Sequence, residues 1–290
     1  FNHGGIDRKV RLASVTKSFV SASVGLALQL GCLQSLDQKM MDFFPEYASS
    51  VRDERKNIIT IRHLLKMRAG YPWEETDPAL WNGILTGKHV PLLLAYSLVN
   101  SPGKGFNYSN LSSHLLGVIV ARSCKTDLRT FMQANLLDQI NAEAGEWGQD
   151  LDGNYIGMGT LHLSAREAAR MGLTYLRGGQ FRGEEVVPVE WVKDSLQNYS
   201  SDTWIIDKEV NHVGRYFREL GYGYQWWRAM VGAVPISFAW GHGGQLIVLI
   251  EPYDMVIVTT SYPFHLEHNA RSWRHERSVF NLVGKLISLL

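Results

Sequence analysis

Ser14-Val15-Thr16-Lys17-Ser18-Phe19-Val20-Ser21-Ala22-Ser23-Val24-Gly25-Leu26-Ala27-Leu28-Gln29-Leu30 is apolar almost without a break from Phe19 onward, and Gly31 after it supplies a helix stop. A helix that is apolar on every side belongs in the middle of a domain. Ser14 stands at its N-terminus. Positions i and i+3 share a helical face, so the Lys17 amine can reach the Ser14 hydroxyl. The free backbone N–H groups of a helix start favour negative charge, which suits a developing oxyanion. One helical turn therefore holds a serine, a candidate base and a set of donors. Spacing alone leaves open a serine cap beside a solvated lysine. Ser101-Pro102-Gly103-Lys104 repeats the pattern, but its Pro-Gly centre reads as a turn that cannot set the amine over the hydroxyl.

Outward from this helix the chain divides by character. Leu36 to Tyr47 reads as a connector ending in a turn at Pro45. Ile59 to Met67 is helical behind a Thr60 cap and is broken by Ala69-Gly70-Tyr71-Pro72. Pro91 to Val99, Leu111 to Arg122 and Leu128 to Ile140 are further helices. Ser164-Ala165-Arg166-Glu167 is a capping box opening a helix over 165–176, and Pro188 to Leu196 forms another short helix. Beyond it Tyr222–Arg228, Ile236–Trp240, Gln245–Ile250 and Met255–Thr260 are β-rich, with turn signals such as Glu251-Pro252-Tyr253-Asp254 between them. Such tight spacing favours antiparallel pairing. The chain ends in an amphipathic helix with Val279, Phe280, Leu282, Val283, Leu286, Ile287 and Leu290 on its apolar side. The fold class is α+β: an antiparallel sheet flanked by helices over 1–35 and 161–290, with a mostly helical domain, 36–160, inserted.

Composition narrows the function classes. The 290 residues carry Lys+Arg 29 against Asp+Glu 28, a net charge of +1, which offers no case for nucleic acid. No run of 18 apolar residues is present, so no membrane span is expected. No signal-peptide pattern is visible, and compartment and oligomeric state stay open. The sequence has 9 Trp and 12 Tyr, enough for an aromatic-lined cleft, although core packing uses the same residues. Cys32 and Cys124 form no metal pattern and read as free, buried thiols. His265, His268 and His275 lie near a polar helix start with no acidic pair in evidence, and read as solvated surface.

Two further stretches carry chemistry. Tyr108-Ser109-Asn110 sits on a loop at a helix start. A neighbouring ammonium lowers a phenol pKa, so Tyr108 beside Lys17 could shuttle the serine proton, while Asn110 could hold Lys17 or a substrate carbonyl. The plainer alternative makes Tyr108 a packed aromatic and Asn110 the cap of the following helix. His242-Gly243-Gly244-Gln245 joins two β-runs. The Gly243-Gly244 pair lets backbone approach a ligand, and the Gln245 N–H could complete an oxyanion hole with that of Ser14. A β-turn that happens to begin with histidine is the alternative.

In that order, Ser-x-x-Lys, Tyr-x-Asn and His-Gly-Gly before a strand, the chain resembles the serine β-lactamase and penicillin-binding-protein superfamily, in its class C-like branch of esterases, peptidases and amidases. Ala13 to Phe19, Phe106 to Asn110, Leu163 to Glu167, Gly221 to Tyr224 and Gly241 to Gln245 carry the resemblance, which runs from about residue 10 to the end. It implies a cleft between a sheet domain and a helical domain. In it Ser14 is the nucleophile, Lys17 and Tyr108 are its activators, Asn110 is a positioning group, and His242, Gly244 and Gln245 are at the sheet edge. No metal and no organic cofactor are implied. The reaction it implies is acyl-enzyme hydrolysis of a small ester, amide or peptide. A D-Ala-D-Ala-type peptidase or β-lactamase is the near alternative, and a non-catalytic binding or acylation sensor module the distant one. The sequence departs from the pattern twice. The family places two strands and a helix before its serine. Thirteen residues cannot supply them, so a bare sheet edge is expected unless another segment covers it. His242 replaces the usual lysine. It is mostly neutral at pH 7 and cationic only below about 6.5, which favours substrates lacking a carboxylate.

Overall fold

The computed structural model describes residues 5–87, 89–203, 213–261 and 270–290. Its helices are α1 (Thr16–Gln29), α2 (Ile61–Leu65), α3 (Pro78–Thr86), α4 (His89–Ala95), α5 (Asn110–Ser123), α6 (Leu128–Met132), α7 (Ala165–Leu176), α8 (Val189–Ser195) and α9 (Ala270–Ile287). Two short antiparallel pairs join β1 (Val10–Arg11) to β2 (His162–Leu163) and β3 (Gln180–Phe181) to β4 (Glu184–Glu185). The main sheet follows chain order: β5 (Phe217–Tyr222), β6 (Trp227–Val231), β7 (Val234–Gly241), β8 (Gln245–Ile250) and β9 (Met255–Thr259), all antiparallel. This is the α+β architecture expected. Among the described residues only β8 pairs with β9, so the far edge of β9 carries no strand. None of the described helices is long and apolar enough to cross a membrane.

Hydrophobic burial sets α1 at the centre. Every residue from Thr16 to Ala27 is buried, which explains an apolar run with no polar face. One core cluster runs from Leu12 through α1 and α5 to Ile247 and Leu249 on the sheet. A second packs the other sheet face, Phe238 and Val248 among it, against Phe280, Val283 and Ile287 of α9. Burying each of those α9 side chains is worth roughly 1.5–3 kcal/mol. The expected apolar side of α9 is corrected here. Leu282 and Leu286 are exposed at 68% and 49%, because a period of 3.6 turns them away from the stripe 280-283-287, and Leu290, exposed at 45%, lies beyond the end of α9.

Three other expectations change. Tyr222–Arg228 is not one strand but the end of β5, a turn over 223–226 and the start of β6, and Gln225 takes a left-handed φ of 62° within that turn. Gln225 is held there by bonds that no local pattern announces. Its carbonyl accepts from Ser18 Oγ (2.7 Å), its Oε1 from Ser113 Oγ (2.5 Å), and its Nε2 donates to the Leu64 and Leu65 carbonyls. The helix expected over 128–140 continues past α6 as a π-turn, Gln133–Leu137, and a 3₁₀ turn, Asp138–Ile140. The helix expected over 91–99 sits at His89–Ala95.

Cys32 and Cys124 are half-buried and form a disulfide, with Cα atoms 5.0 Å apart and a sequence separation of 92. Cys32 follows the end of α1 and Cys124 caps the end of α5. The bond therefore joins the C-terminal ends of the two helices whose N-terminal ends carry Ser14, Lys17 and Asn110. Two thiols far apart in sequence say nothing of their separation in space, which is why the free-thiol reading fails. Closing so long a loop restricts the unfolded chain, and reduction should lower stability by about 2–5 kcal/mol. Guanidinium unfolding with and without reductant measures this. A midpoint that does not move on reduction would refute the expectation.

Candidate active site

The turn before α1 brings Ser14 out of the core. Ser14 lies in a 3₁₀ turn, Ala13–Val15, and Ala13 ahead of it holds a strained φ of 48°. Ser14 is half-buried while Lys17 is 1% exposed. The Lys17 Nζ lies 2.6 Å from Ser14 Oγ, and donates to Asn110 Oδ1 (2.9 Å) and to the Met158 carbonyl (2.8 Å). Burial brings the Lys17 amine down from its ordinary value to about 7, against the opposing pull of Glu75 and Glu74. Two carbonyl-type acceptors use both N–H bonds of a neutral amine and leave its lone pair to the Ser14 hydroxyl.

Tyr108 is 8% exposed, stacks on Trp227 with ring centroids 5.8 Å apart, and has its ring 5.0 Å from Lys17 Nζ. It lines the same cleft as Ser14. The expected lowering of its pKa by an ammonium is not what the site does. Burial dominates and pushes the phenol above its ordinary range, so Tyr108 holds its proton. Ser109, not Asn110, caps α5, accepting from Ser112 N at 3.1 Å, and Asn110 is the first helical residue. This frees the Asn110 amide. Its Oδ1 faces Lys17 and its Nδ2 donates to Glu75 Oε1 at 3.1 Å, which fixes the orientation.

Glu74 and Glu75 were not singled out in the sequence. The fully buried Glu74 carboxylate accepts from Ser109 Oγ (2.6 Å), Asn110 N (2.8 Å) and Leu111 N (3.1 Å), so it fastens the start of α5 where helix donors are otherwise unpaired. Burial pushes its pKa up to about 7. Met158 contributes only a carbonyl, which side-chain reading could not find.

The β7–β8 turn closes the site from the sheet. Gly243 and Gly244 have φ of 84° and 85°, a left-handed pair that accounts for both glycines. Gly241 pairs with Gln245, and a Cβ on Gly241 would strike the Leu12 carbonyl and stand 3.1 Å from Ser14 N. The Gln245 side chain exchanges bonds with Ser261. The His242 ring meets Trp273 edge-on at 4.6 Å, and its Nδ1 lies 3.4 Å from Glu276 Oε2. Glu276, also absent from the sequence reading, is wholly buried and accepts from Gly243 N at 2.5 Å, and burial pushes it up to about 8. A cleft opens over Ser14 and Tyr108, lined by Trp73, Trp227, Trp240 and Trp273 together with Glu75, His242 and Glu276.

His265 and His268 lie outside the described residues, and His275 is exposed on α9. Among the described residues one group has metal-ligand atoms within 4.8 Å of one another: His89, His114 and Asp150, all buried and none lining the cleft. Its hydrogen bonds already account for His114. Nδ1 accepts from Gly157 N (3.3 Å), so the proton sits on Nε2 and goes to Asp150 Oδ2 (3.0 Å). A metal on Nε2 would have to displace that proton.

A family model described as Beta-lactamase matches residues 7–277. Beta-lactamase-like protein 2 of Dictyostelium discoideum is 25% identical over 160 residues, 54% of this chain and 29% of that protein. The match thus spans under a third of that relative. Among solved structures, simvastatin synthase of Aspergillus terreus superposes with a TM-score of 0.72 at 15% identity, covering 97% of this chain and 85% of that one. The octameric penicillin-binding protein homologue of Pyrococcus abyssi gives 0.70 at 17% identity, covering 98% and 67%.

Proposed function

The chain belongs to the beta-lactamase family, and from that premise we propose that it is a serine hydrolase that cleaves small esters or amides through an acyl-enzyme. One observation carries the reading: Lys17 Nζ, 2.6 Å from Ser14 Oγ, has its N–H bonds used by Asn110 and Met158 and a pKa near neutrality. The neutral amine takes the Ser14 proton as Oγ bonds to the substrate carbonyl carbon. The Ser14 and Gln245 N–H groups hold the oxyanion, a role supported by the position of Gly241, the partner of Gln245, where a Cβ would stand 3.1 Å from Ser14 N. Tyr108 gives its proton to the leaving oxygen or nitrogen as the bond to the carbonyl carbon breaks. The Lys17 ammonium, which holds the proton taken from Ser14, returns a proton to the Tyr108 phenolate. Water then attacks the acyl-enzyme, giving up a proton along the same path, and the acid product and free Ser14 are released.

A fluorophosphonate probe with a p-nitrophenyl ester tests this. Labelling with turnover is expected. Labelling without turnover would mean a sensor, and no labelling a binding module.

Preference for substrates without a carboxylate follows from His242, but Glu276 alters its pH dependence. With Glu276 Oε2 beside Nδ1, protonating the imidazole creates no free cation. The wild type should therefore favour a p-nitrophenyl ester over a chromogenic β-lactam at pH 6 as well as pH 8. His242→Lys alone should move the kcat/KM ratio toward the β-lactam by only about threefold. His242→Lys with Glu276→Gln, which leaves the lysine unpaired, should move it by about tenfold or more. Equal shifts in the two variants would show that Glu276 does not screen this position.

A further inference from the structure

The cleft wall in front of Ser14 is chemically lopsided. Among the described residues that line it, two are acidic, Glu75 and Glu276, and none is lysine or arginine; Glu276 is wholly buried, pushed up to about 8 and set beside His242, so the part-exposed acid of the cleft is Glu75. The site's own amine, Lys17, is buried behind Ser14, with its N–H bonds used by Asn110 and Met158. Glu75 is half-exposed. It receives the Asn110 amide on Oε1, and among the described residues no lysine or arginine forms an ion pair with it within 4 Å. The rest of the wall is indole. Trp73, Trp240 and Trp273 are part-exposed, and Trp227 packs behind Trp240 at 5.4 Å between ring centroids. Indole faces carry the negative side of a ring quadrupole and attract cations, most strongly where water is excluded. A carboxylate beside several such faces makes a site for a positively charged nitrogen and a poor one for an anion.

We propose that the substrates of this enzyme carry a cationic amine, seated between the Glu75 carboxylate and the tryptophan wall of the cleft. This rests on the serine hydrolase reading and names the substrate class for it. Glu75 thus has two connections. Oε1 steadies Asn110, and the carboxylate charge faces the cleft.

Two isosteric substrate pairs separate charge from shape. On the acyl side, p-nitrophenyl 4-(trimethylammonio)butanoate is compared with p-nitrophenyl 5,5-dimethylhexanoate. On the alcohol side, acetylthiocholine is compared with 3,3-dimethylbutyl thioacetate. In at least one pair the wild type should favour the cation by about tenfold in kcat/KM, and added salt should shrink that preference. Glu75→Gln keeps an oxygen for Asn110 while removing the charge, and should bring the ratio to within about twofold of unity. Because each ratio is taken within one protein, a general loss of activity in the variant cancels. If Glu75 serves only to position Asn110 and Lys17, both members of a pair fall together and the ratio stays at its wild-type value, which overturns the proposal. A wild type with no preference for the cation in either pair overturns it too. Binding of phenyltrimethylammonium, read by tryptophan fluorescence, needs no turnover and should weaken at least about fivefold in Glu75→Gln. The cation site can therefore fail while labelling and ester turnover persist, or stand while they are absent.

Discussion

Ser14→Ala should abolish fluorophosphonate labelling and lower ester turnover by on the order of 10⁴ or more, with the folded structure intact. The size of the effect follows from geometry. No other described hydroxyl stands 2.6 Å from a buried amine whose remaining hydrogens are engaged. The fold has little stake in the side chain. The strained turn at Ala13 is a matter of backbone, α1 is buried by its apolar residues, and Lys17 keeps Asn110 and Met158 as partners. A thermal midpoint near that of the wild type is expected alongside the loss. Ser101→Ala is the matched control. Ser101 has the same spacing to Lys104, but it is exposed and its motif is a turn with Gly103 at φ 84°. It should label and turn over normally. Intact mass after labelling reads both variants. A Ser14→Ala protein that still gains the probe would end the assignment of the nucleophile.

The features that could be read from the sequence are those whose cause is local. The α1 run, the Thr60 cap, the Ser164–Glu167 capping box and the β7 to β9 meander all depend on residues a few positions apart, and all are present. Ser14 and Lys17 were legible for the same reason. Asn110 could be named because a motif names it, yet its partner lies 93 positions away, and its exact place in the helix was missed because Ser109 is the better cap.

What was missed is what distant segments bring to a point. Glu74 and Glu75 sit on a loop that no periodicity marks, and their meaning comes from α5. Glu276 is one polar residue on an amphipathic helix until the Gly243 N–H is placed against it. The aromatic run at 222–228 looked like a strand because its composition is strand-like. A turn prevails there because buried bonds from Gln225 to α1, α2 and α5 outweigh local preference. The sign of the Tyr108 shift failed similarly. Proximity to Lys17 was foreseeable, but the burial that overrides it depends on Trp227 and Tyr222 packing around the ring.

That sign decides the pH profile and the division of labour between the two groups. A lysine below its pKa is an ammonium and cannot accept the Ser14 proton. With Lys17 near 7, kcat/KM should climb about tenfold per pH unit on the acid side and level off above about pH 7. Tyr108 must keep its proton to act as the acid. Burial holds the phenol above its ordinary range, so no alkaline limb should appear below about pH 10. Lys17→Ala and Tyr108→Phe should each lower kcat by on the order of 10²–10⁴. In the proposed reaction both groups serve one proton path, so once either is gone the other has little left to do. The double variant should therefore cost much less than the product of the two single losses. Losses that multiply in full would show two independent paths. Tyr108→Phe should also leave the acid limb in place, because that limb belongs to Lys17, whereas in Lys17→Ala it should vanish from whatever activity remains. An acid limb that persists without Lys17 would assign it to another group, with Glu74, also near 7 and bonded to the start of α5, the first to be tested by Glu74→Gln.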